Sequence, residues 1–221
     1  MKNSLNKHLT FNYMSIKWII LDAMGVIFEE GYDLDELLIP FVQKRNKSLS
    51  SDFIQDLYIK TSLGKFPSKE LWNRLGFDKD YPQIEKEYLD SCLRIDPEFI
   101  VSAKELEKCY SLALLSNDVK EWSIYLRNKF EINHFFKIIV ISGEVGFRKP
   151  DKRIFKMLLE RILAPPEVCL FIDDNLNNLN SASELGIKTI RFVRNKSKTP
   201  FCSEFEISRF PELLSVIKNF Y

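Results

Sequence analysis

The chain has 221 residues, 45% of them hydrophobic, and 32 Lys and Arg against 31 Asp and Glu leave a net charge of +1. That length suits one globular domain carrying an inserted subdomain, or two small domains, and the even charge balance excludes the basic excess of a nucleic-acid or anionic-membrane binder. With 18 Phe, 8 Tyr and 3 Trp the core can be filled without disulfides or a structural metal.

The first 13 residues are polar, lack a signal-peptide core and read as a flexible leader, with Met14 a possible natural start. No apolar run reaches the roughly 18 residues of a membrane span. Cys92, Cys109, Cys169 and Cys202 are scattered without a CxxC pair, which predicts reduced, mostly buried thiols and a cytoplasmic location. The first strand is expected at residues 17–22, with later apolar runs at 111–116, 137–142, 168–173 and 187–192. Between the first two lies mostly helical patterning, at 34–44, 51–61, 69–75 and 84–93, followed by a return helix at 97–110. The later strands alternate with helices expected at 119–130, at 151–163 after Pro150, and at 176–185 before Gly186. Strand and helix in alternation predict a three-layer α/β/α arrangement, a Rossmann-like parallel sheet with an inserted helical cap. In such sheets ligands bind at the carboxyl ends of strands.

Four patches fall at those ends. Ile19-Ile20-Leu21-Asp22-Ala23-Met24-Gly25-Val26 puts a carboxylate at a strand tip before a glycine turn, where it can serve as nucleophile or metal ligand. Leu114-Leu115-Ser116-Asn117-Asp118 supplies a hydroxyl and an amide at another tip. In the segment from Ser142 to Asp151, Lys149 precedes a helix and can neutralise an anion. Phe171-Ile172-Asp173-Asp174-Asn175 ends a strand in paired carboxylates, suited to a hard divalent cation such as Mg2+. Each patch also has a plain structural reading. A strand-end Asp can cap a helix, Ser-Asn-Asp is ordinary turn chemistry, and a single lysine is usually a solvated one.

In that order the four patches resemble the haloacid dehalogenase-like hydrolase superfamily, over about residues 16–192. Asp22 matches the nucleophile of the first motif, Ser116 the second-motif Ser or Thr, Lys149 the third-motif Lys, and Asp173-Asp174 the acidic fourth motif. The stretches from Ser142 to Asp151 and from Phe171 to Leu185 are similar to the subfamily with a helical cap, which includes the phosphatase-like N-terminal domain of soluble epoxide hydrolases. The resemblance implies a core domain of residues 1–30 and 96–221 and a cap of 31–95. It also implies a phosphorylated small-molecule substrate and an aspartyl-phosphate on Asp22. Mg2+ would be held by Asp22, by Asp174 with Asp173 orienting or supplementing it, and by the backbone carbonyl of Met24. Ser116 and Lys149 would hold phosphoryl oxygens, and Asn117 would bind substrate at the cap interface. Oligomeric state has no signature in the sequence.

The departure from the family pattern is Met24. Family phosphatases carry there a second Asp that protonates the leaving group and then activates water, and a thioether can do neither. Losing a positioned acid/base typically costs about 10²–10⁴-fold. Three readings stay open. The chain is a Mg2+-dependent phosphoryl hydrolase whose substrate needs little protonation, or which borrows an acid from Glu29, Glu30, Asp33 or Asp35 of the cap. It is a 2-haloacid dehalogenase-type carbon–halogen hydrolase, whose relatives also lack the second Asp but use no metal. Or it is a non-catalytic binding or regulatory protein on the same fold. Leu63-Gly64-Lys65 is no P-loop. His134 reads as a turn or core-edge residue, the acceptor-like tripeptides at 46–48 and 195–197 as chance matches, and Arg191 and Arg194 as solvated surface.

Overall fold

Strands buried on both faces read as unbroken apolar runs, and here such runs form a wholly parallel sheet. The computed structural model describes residues 15–31, 33–194 and 205–218. The leader at 1–13, Met14, the tripeptide at 195–197 and Cys202 lie outside the described residues.

β1 (Trp18–Leu21) is followed by a π-helical run (Asp33–Leu38) that continues as α1 (Ile39–Arg45). Next come α2 (Ser51–Ser62), α3 (Ser68–Arg74) and α4 (Gln83–Cys92), and α5 (Pro97–Leu106) leads back to β2 (Ser111–Ser116). The rest alternates: α6 (Lys120–Lys129), β3 (Phe136–Ile141), α7 (Ser142–Val145), α8 (Lys152–Ile162), β4 (Cys169–Asp173), α9 (Leu176–Ser183), β5 (Lys188–Phe192), β6 (Glu206–Ile207) and α10 (Phe210–Ile217). The strand order is β3-β2-β1-β4-β5-β6. The five strands expected from the sequence are present to within one residue at either end. β6, with two residues, is too short to show an alternating pattern.

Successive strand residues face opposite layers. Ile19, Leu21, Leu112, Leu114 and Ile172 share one core with residues of α5, α6 and α10. Ile20, Ala113, Leu115, Cys169 and Phe171 share a second core with α8 and α9. The three-layer α/β/α fold is therefore as the alternation predicts. Local chemistry sets the helix starts. Ser50 caps α2 by accepting from Phe53 N, Asp96 caps α5 ahead of Pro97, and Asp151 caps α8. α9 is capped by Asn175, whose side chain accepts from Asn177 N. The capping role open to Asp173 and Asp174 thus falls to Asn175.

The helices between β1 and α5 are fastened to the sheet layer by aromatic packing. Trp122 of α6, 1% exposed, packs against Tyr58 of α2, Trp72 of α3 and Tyr88 of α4. Buried indole N–H groups need acceptors. One carboxylate serves two of them, since Glu85 Oε2 accepts from Trp72 Nε1 and from Trp122 Nε1, both at 2.8 Å.

Three expectations need correction. Of the cysteines among the described residues, only Cys169 is buried, while Cys92 is partly exposed and Cys109 exposed, and these three are free thiols. Arg194 is no solvated surface residue. It pairs with Asp96 at 2.7 Å and donates to the carbonyls of Gly25, at 3.0 Å, and Val26. Arg191 pairs with Glu206 at 3.3 Å. Both arginines sit at the end of β5, where cationic side chains find partners in β6 and in the segments joining the inserted helices to the sheet. No helix among the described residues is long and apolar enough to cross a membrane.

The double acceptor at Glu85 makes a stability prediction. Glu85→Ala strands two buried indole donors, and hydrogen bonds to charged groups contribute about 1.5–3 kcal/mol each. A loss of roughly 2–4 kcal/mol is expected in urea unfolding. Glu85→Gln keeps a carbonyl acceptor and should lose less than half of that. Equal midpoints for wild type and Glu85→Ala would remove the bridge from the account of how the insertion is held.

Candidate active site

β1 lies between β2 and β4, the point at which the strand order reverses, and this is where open parallel sheets bind ligands. Leu21 is in register with Leu114 of β2 and Ile172 of β4. The residues that follow, Asp22, Ser116 and Asp173, therefore leave the sheet beside one another. Asp22 N donates to Ile172 O at 3.0 Å, and Ala23 N donates to Asp22 Oδ1 at 2.7 Å. The turn after β1 needs glycine, because Gly25 has φ +76° and a Cβ there would overlap Asp174 Oδ2. A Cβ on Gly31 would lie 2.7 Å from the same oxygen.

Lys149 joins the strand ends. Its Nζ lies 2.6 Å from Asp22 Oδ1 and 2.7 Å from Asp173 Oδ2, with the side chain 1% exposed. Burial alone would lower its pKa, but the carboxylates of Asp173 and Asp22 more than offset this, and the ammonium is held above its ordinary value. Asn117 fixes its backbone on both sides: Nδ2 donates to Lys149 O at 2.8 Å, and Oδ1 accepts from Lys149 N at 2.7 Å. Asp173, wholly buried, accepts from Lys149, from Asn175 N at 2.7 Å and from Asn178 Nδ2 at 3.1 and 3.0 Å.

Asp22, Met24, Ser116, Asn117, Lys149 and Asp174 line one polar cavity of about 150 Å³, together with Asp33, Tyr58, Arg148, Asn175 and Asn178. Ser116 Oγ is buried in it and has no hydrogen-bond partner among the protein atoms. A buried hydroxyl in that state calls for a polar ligand. Oxygens of Asp22, Asp173 and Asp174 all lie within 4.8 Å of one another. Three carboxylates and one ammonium leave two negative charges in surplus, which matches a divalent cation, and the all-oxygen donor set is the kind Mg2+ takes. The electrostatics carry the same surplus. Burial, then the neighbouring Asp173 and Asp174, push the Asp22 carboxyl well above the usual range against the pull of Lys149. Burial and Asp173 push Asp174 up to about 7.

Every residue singled out in the sequence for this site reaches it, Asp173 through its contact with Lys149. Of the four acidic cap candidates, only Asp33 lines the cavity. Glu29 and Glu30 pair with Arg94 at 3.2 and 3.1 Å, and Asp35 is exposed. His134 is exposed in a 3₁₀ turn (Asn133–Phe135) remote from the lining residues. The sequence reading missed Tyr58, Arg148 and Asn178. Arg148 stands beside Lys149 in the third patch, and Asn178 follows Asp173 by one helical turn past the cap. Tyr58, in the middle of α2, carries no local signal.

The family profile of the haloacid dehalogenase-like hydrolases matches residues 16–186, and the chain belongs to that family. It is 34% identical over 108 residues to a glyceraldehyde 3-phosphate phosphatase of Methanopyrus kandleri, a match covering 46% of either chain. It is 31% identical over 157 residues to a drimenol cyclase of Aspergillus calidoustus, covering 60% of this chain and 29% of the cyclase. The chain thus spans about half or less of the curated relatives it matches. Among solved structures it resembles a haloacid dehalogenase family enzyme of Bacteroides thetaiotaomicron, with TM-score 0.71, 24% identity, and coverage of 83% of this chain and 97% of that one. A second structure of that enzyme is a complex with magnesium and inorganic phosphate, at TM-score 0.65, 23% identity, and 84% and 98% coverage. These structural likenesses show the fold.

The raised carboxyl of Asp174 sets a pH dependence. In the metal-free protein the folded state keeps a proton on Asp174 that the unfolded chain has already released above the ordinary carboxylate range. The stability from this group is full in acid and is lost as pH rises through about 7. Asp174→Asn does not titrate. Melting curves in chelator should therefore show wild type losing ground to Asp174→Asn between pH 4 and pH 8, and parallel curves would mean that Asp174 carries no excess charge.

Proposed function

We propose that the chain hydrolyses a phosphorylated small molecule through an aspartyl-phosphate on Asp22. The observation that carries this reading is the buried Asp22–Lys149–Asp173–Asp174 cluster, two negative charges in surplus, beside the unpartnered hydroxyl of Ser116. The phosphatase named among the relatives and the magnesium and phosphate held by a structural neighbour support it. The charge surplus favours a metal-assisted phosphoryl hydrolase over a halide-displacing site, and a carboxylate clamped against Lys149 at a strand tip favours catalysis over binding alone.

Asp22 attacks phosphorus in line with the leaving oxygen, and water then cleaves the acyl phosphate and regenerates the carboxylate. Lys149 and Ser116 take the equatorial phosphoryl oxygens, where a fixed ammonium and a hydroxyl without a competing partner need no reorganisation. Mg2+, held by Asp22, Asp174 and the carbonyl of Met24, would supply charge neutralisation of the phosphoryl group. Asp173, whose oxygens are already engaged by Lys149, Asn175 and Asn178, orients rather than ligates. Asn117 is spent on the backbone of Lys149, so its part in substrate binding is to place that lysine. We assign 31–95 as the cap and the remainder as the core, in a cytoplasmic protein. A cavity of about 150 Å³ holds roughly five waters' worth of liquid volume, room for a phosphoryl group and a short residue.

Titration calorimetry should find Mg2+ binding to wild type, with Asp174→Asn weakened by more than the ~10–100-fold typical of losing an outer-shell partner. Acid-quenched wild type incubated with an aryl phosphate should carry phosphate on Asp22, and Asp22→Asn should carry none. Hydrolysis by Asp22→Asn at the wild-type rate would end this reading.

A further inference from the structure

Met24 has no proton to give, yet the cavity it lines contains one carboxyl group outside the Asp22, Asp173 and Asp174 cluster. We propose that Asp33, contributed by the inserted segment, is the proton donor to the leaving group and the base for the attacking water. The proposal rests on the phosphoryl-transfer reading above and names the residue that completes it.

Three observations carry it. Asp33 opens the π-helical run after β1 and lines the same small cavity as Asp22, Met24 and Asp174. Its position is fixed, because Tyr58 OH donates to Asp33 Oδ2 at 3.0 Å. Tyr58 is itself held, by packing on Trp122 and beneath the Arg148 guanidinium, which lies 5.5 Å from its ring centroid. Arg148 in turn donates to Ser62 Oγ. A carboxyl clamped through one oxygen in a small polar cavity is what proton transfer to a bound oxygen requires.

Burial, against the groups that face it, leaves Asp33 a carboxyl able to hold a proton. Burial pushes it above the usual carboxylate range, while the Tyr58 hydrogen bond and Arg148 pull the other way. Asp118 is itself pushed up to about 8 by burial and by Asp33. The Tyr88 hydroxyl, also near Asp33, is held neutral well above its ordinary value by burial.

The chemistry balances. As Asp22 Oδ bonds to phosphorus and the ester P–O bond breaks, the proton of the Asp33 carboxyl passes to the leaving oxygen and an alcohol departs. Asp33, now a carboxylate, takes a proton from the water that attacks the aspartyl-phosphate. The bond from phosphorus to Asp22 breaks, inorganic phosphate leaves, and both carboxyl groups return to their starting states.

The test compares leaving groups in the full-length protein with Mg2+. In Asp33→Asn, which keeps an acceptor for Tyr58 OH, alcohol release from an alkyl phosphate should fall about 10²–10⁴-fold. The burst of phenolate from dinitrophenyl phosphate, which leaves without a proton, should stay within about 3-fold of wild type, well inside the smallest effect expected of a lost acid. The high-pH limb of kcat/KM for the alkyl phosphate should disappear. Tyr58→Phe, a change at a positioning residue, should move that limb to higher pH, because the hydrogen bond it removes lowers the Asp33 pKa. A merely structural tyrosine would lower activity and leave the limb in place. If Asp33→Asn fails to fold, wild type still decides: a donor acid makes the rate depend only weakly on leaving-group pKa, and a steep dependence overturns the proposal. Equal losses in alkyl release and in the phenolate burst, or no loss in either, also overturn it. No turnover of either ester by wild type with Mg2+ would instead sink the phosphoryl-transfer reading itself.

Discussion

The buried ammonium of Lys149 between the carboxylates of Asp22 and Asp173 is the contact on which the site depends. Like charges this close cannot all ionise in a poorly solvated pocket, and the cost of desolvating them is several kcal/mol per ion. Lys149 offsets part of that cost at 2.6 and 2.7 Å. It does so only because its own position is constrained. Its backbone is held on both sides by Asn117, at the tip of β2, and its ammonium points at the tips of β1 and β4. Three strand ends and the approach to α8 are thereby tied to one cation. Removing a single partner from such an arrangement leaves a buried charge uncompensated, which is more damaging than never having built the pair.

The surplus that Lys149 leaves falls on Asp22 and Asp174, the two carboxyls pushed above their ordinary range. Asp173 has its oxygens occupied by Lys149, Asn175 N and Asn178, whereas Asp174 faces the cavity against the bare backbone of Gly25 and Gly31. The absence of side chains at these two glycines lets the turn after β1 pack over the Asp174 carboxylate, so the loop that carries the nucleophile lies against the carboxylate that follows β4. Arg194 reinforces that loop from the far side by taking the carbonyls of Gly25 and Val26 and the carboxylate of Asp96 together. The departing and returning arms of the helical insertion are joined there by one side chain.

Residues at the strand tips were legible in the sequence because a buried strand announces itself by apolar content and its tip by the first polar residue. Asp22, Ser116 and Asp173 follow that rule, and Lys149 was marked by Pro150 and the helix after it. Asn117 was recognised as a site residue, but its partner was not, since the contact with Lys149 spans 32 positions. Tyr58 and Asp33 meet across 25 positions of irregular and helical chain, and Arg148 reaches Ser62 across 86. No periodicity records such meetings. The misread arginines at the end of β5 fail for the same reason: local composition shows a basic tract, while the partners that desolvate it come from β6 and from the loop before α5. Even Glu85 looks like an ordinary exposed-face glutamate until Trp72 and Trp122 are brought to it from either side.

Placing the proton donor on Asp33 changes what the insertion does. An acid two residues after the nucleophile sits on the sheet layer and is available wherever the inserted helices lie. An acid on the segment after β1, clamped by Tyr58 of α2, is available only when α2 is seated. Seating depends on Tyr58, Trp72 and Tyr88 packing around Trp122, on the double hydrogen bond to Glu85, and on Arg148 reaching Ser62. The same contacts pack the inserted helices beside the cavity. Packing of the insertion and delivery of the proton therefore depend on the same side chains. The apolar side chain of Met24 fits that division of labour: with no carboxyl two residues after the nucleophile, nothing at that position competes with Asp33 for the proton.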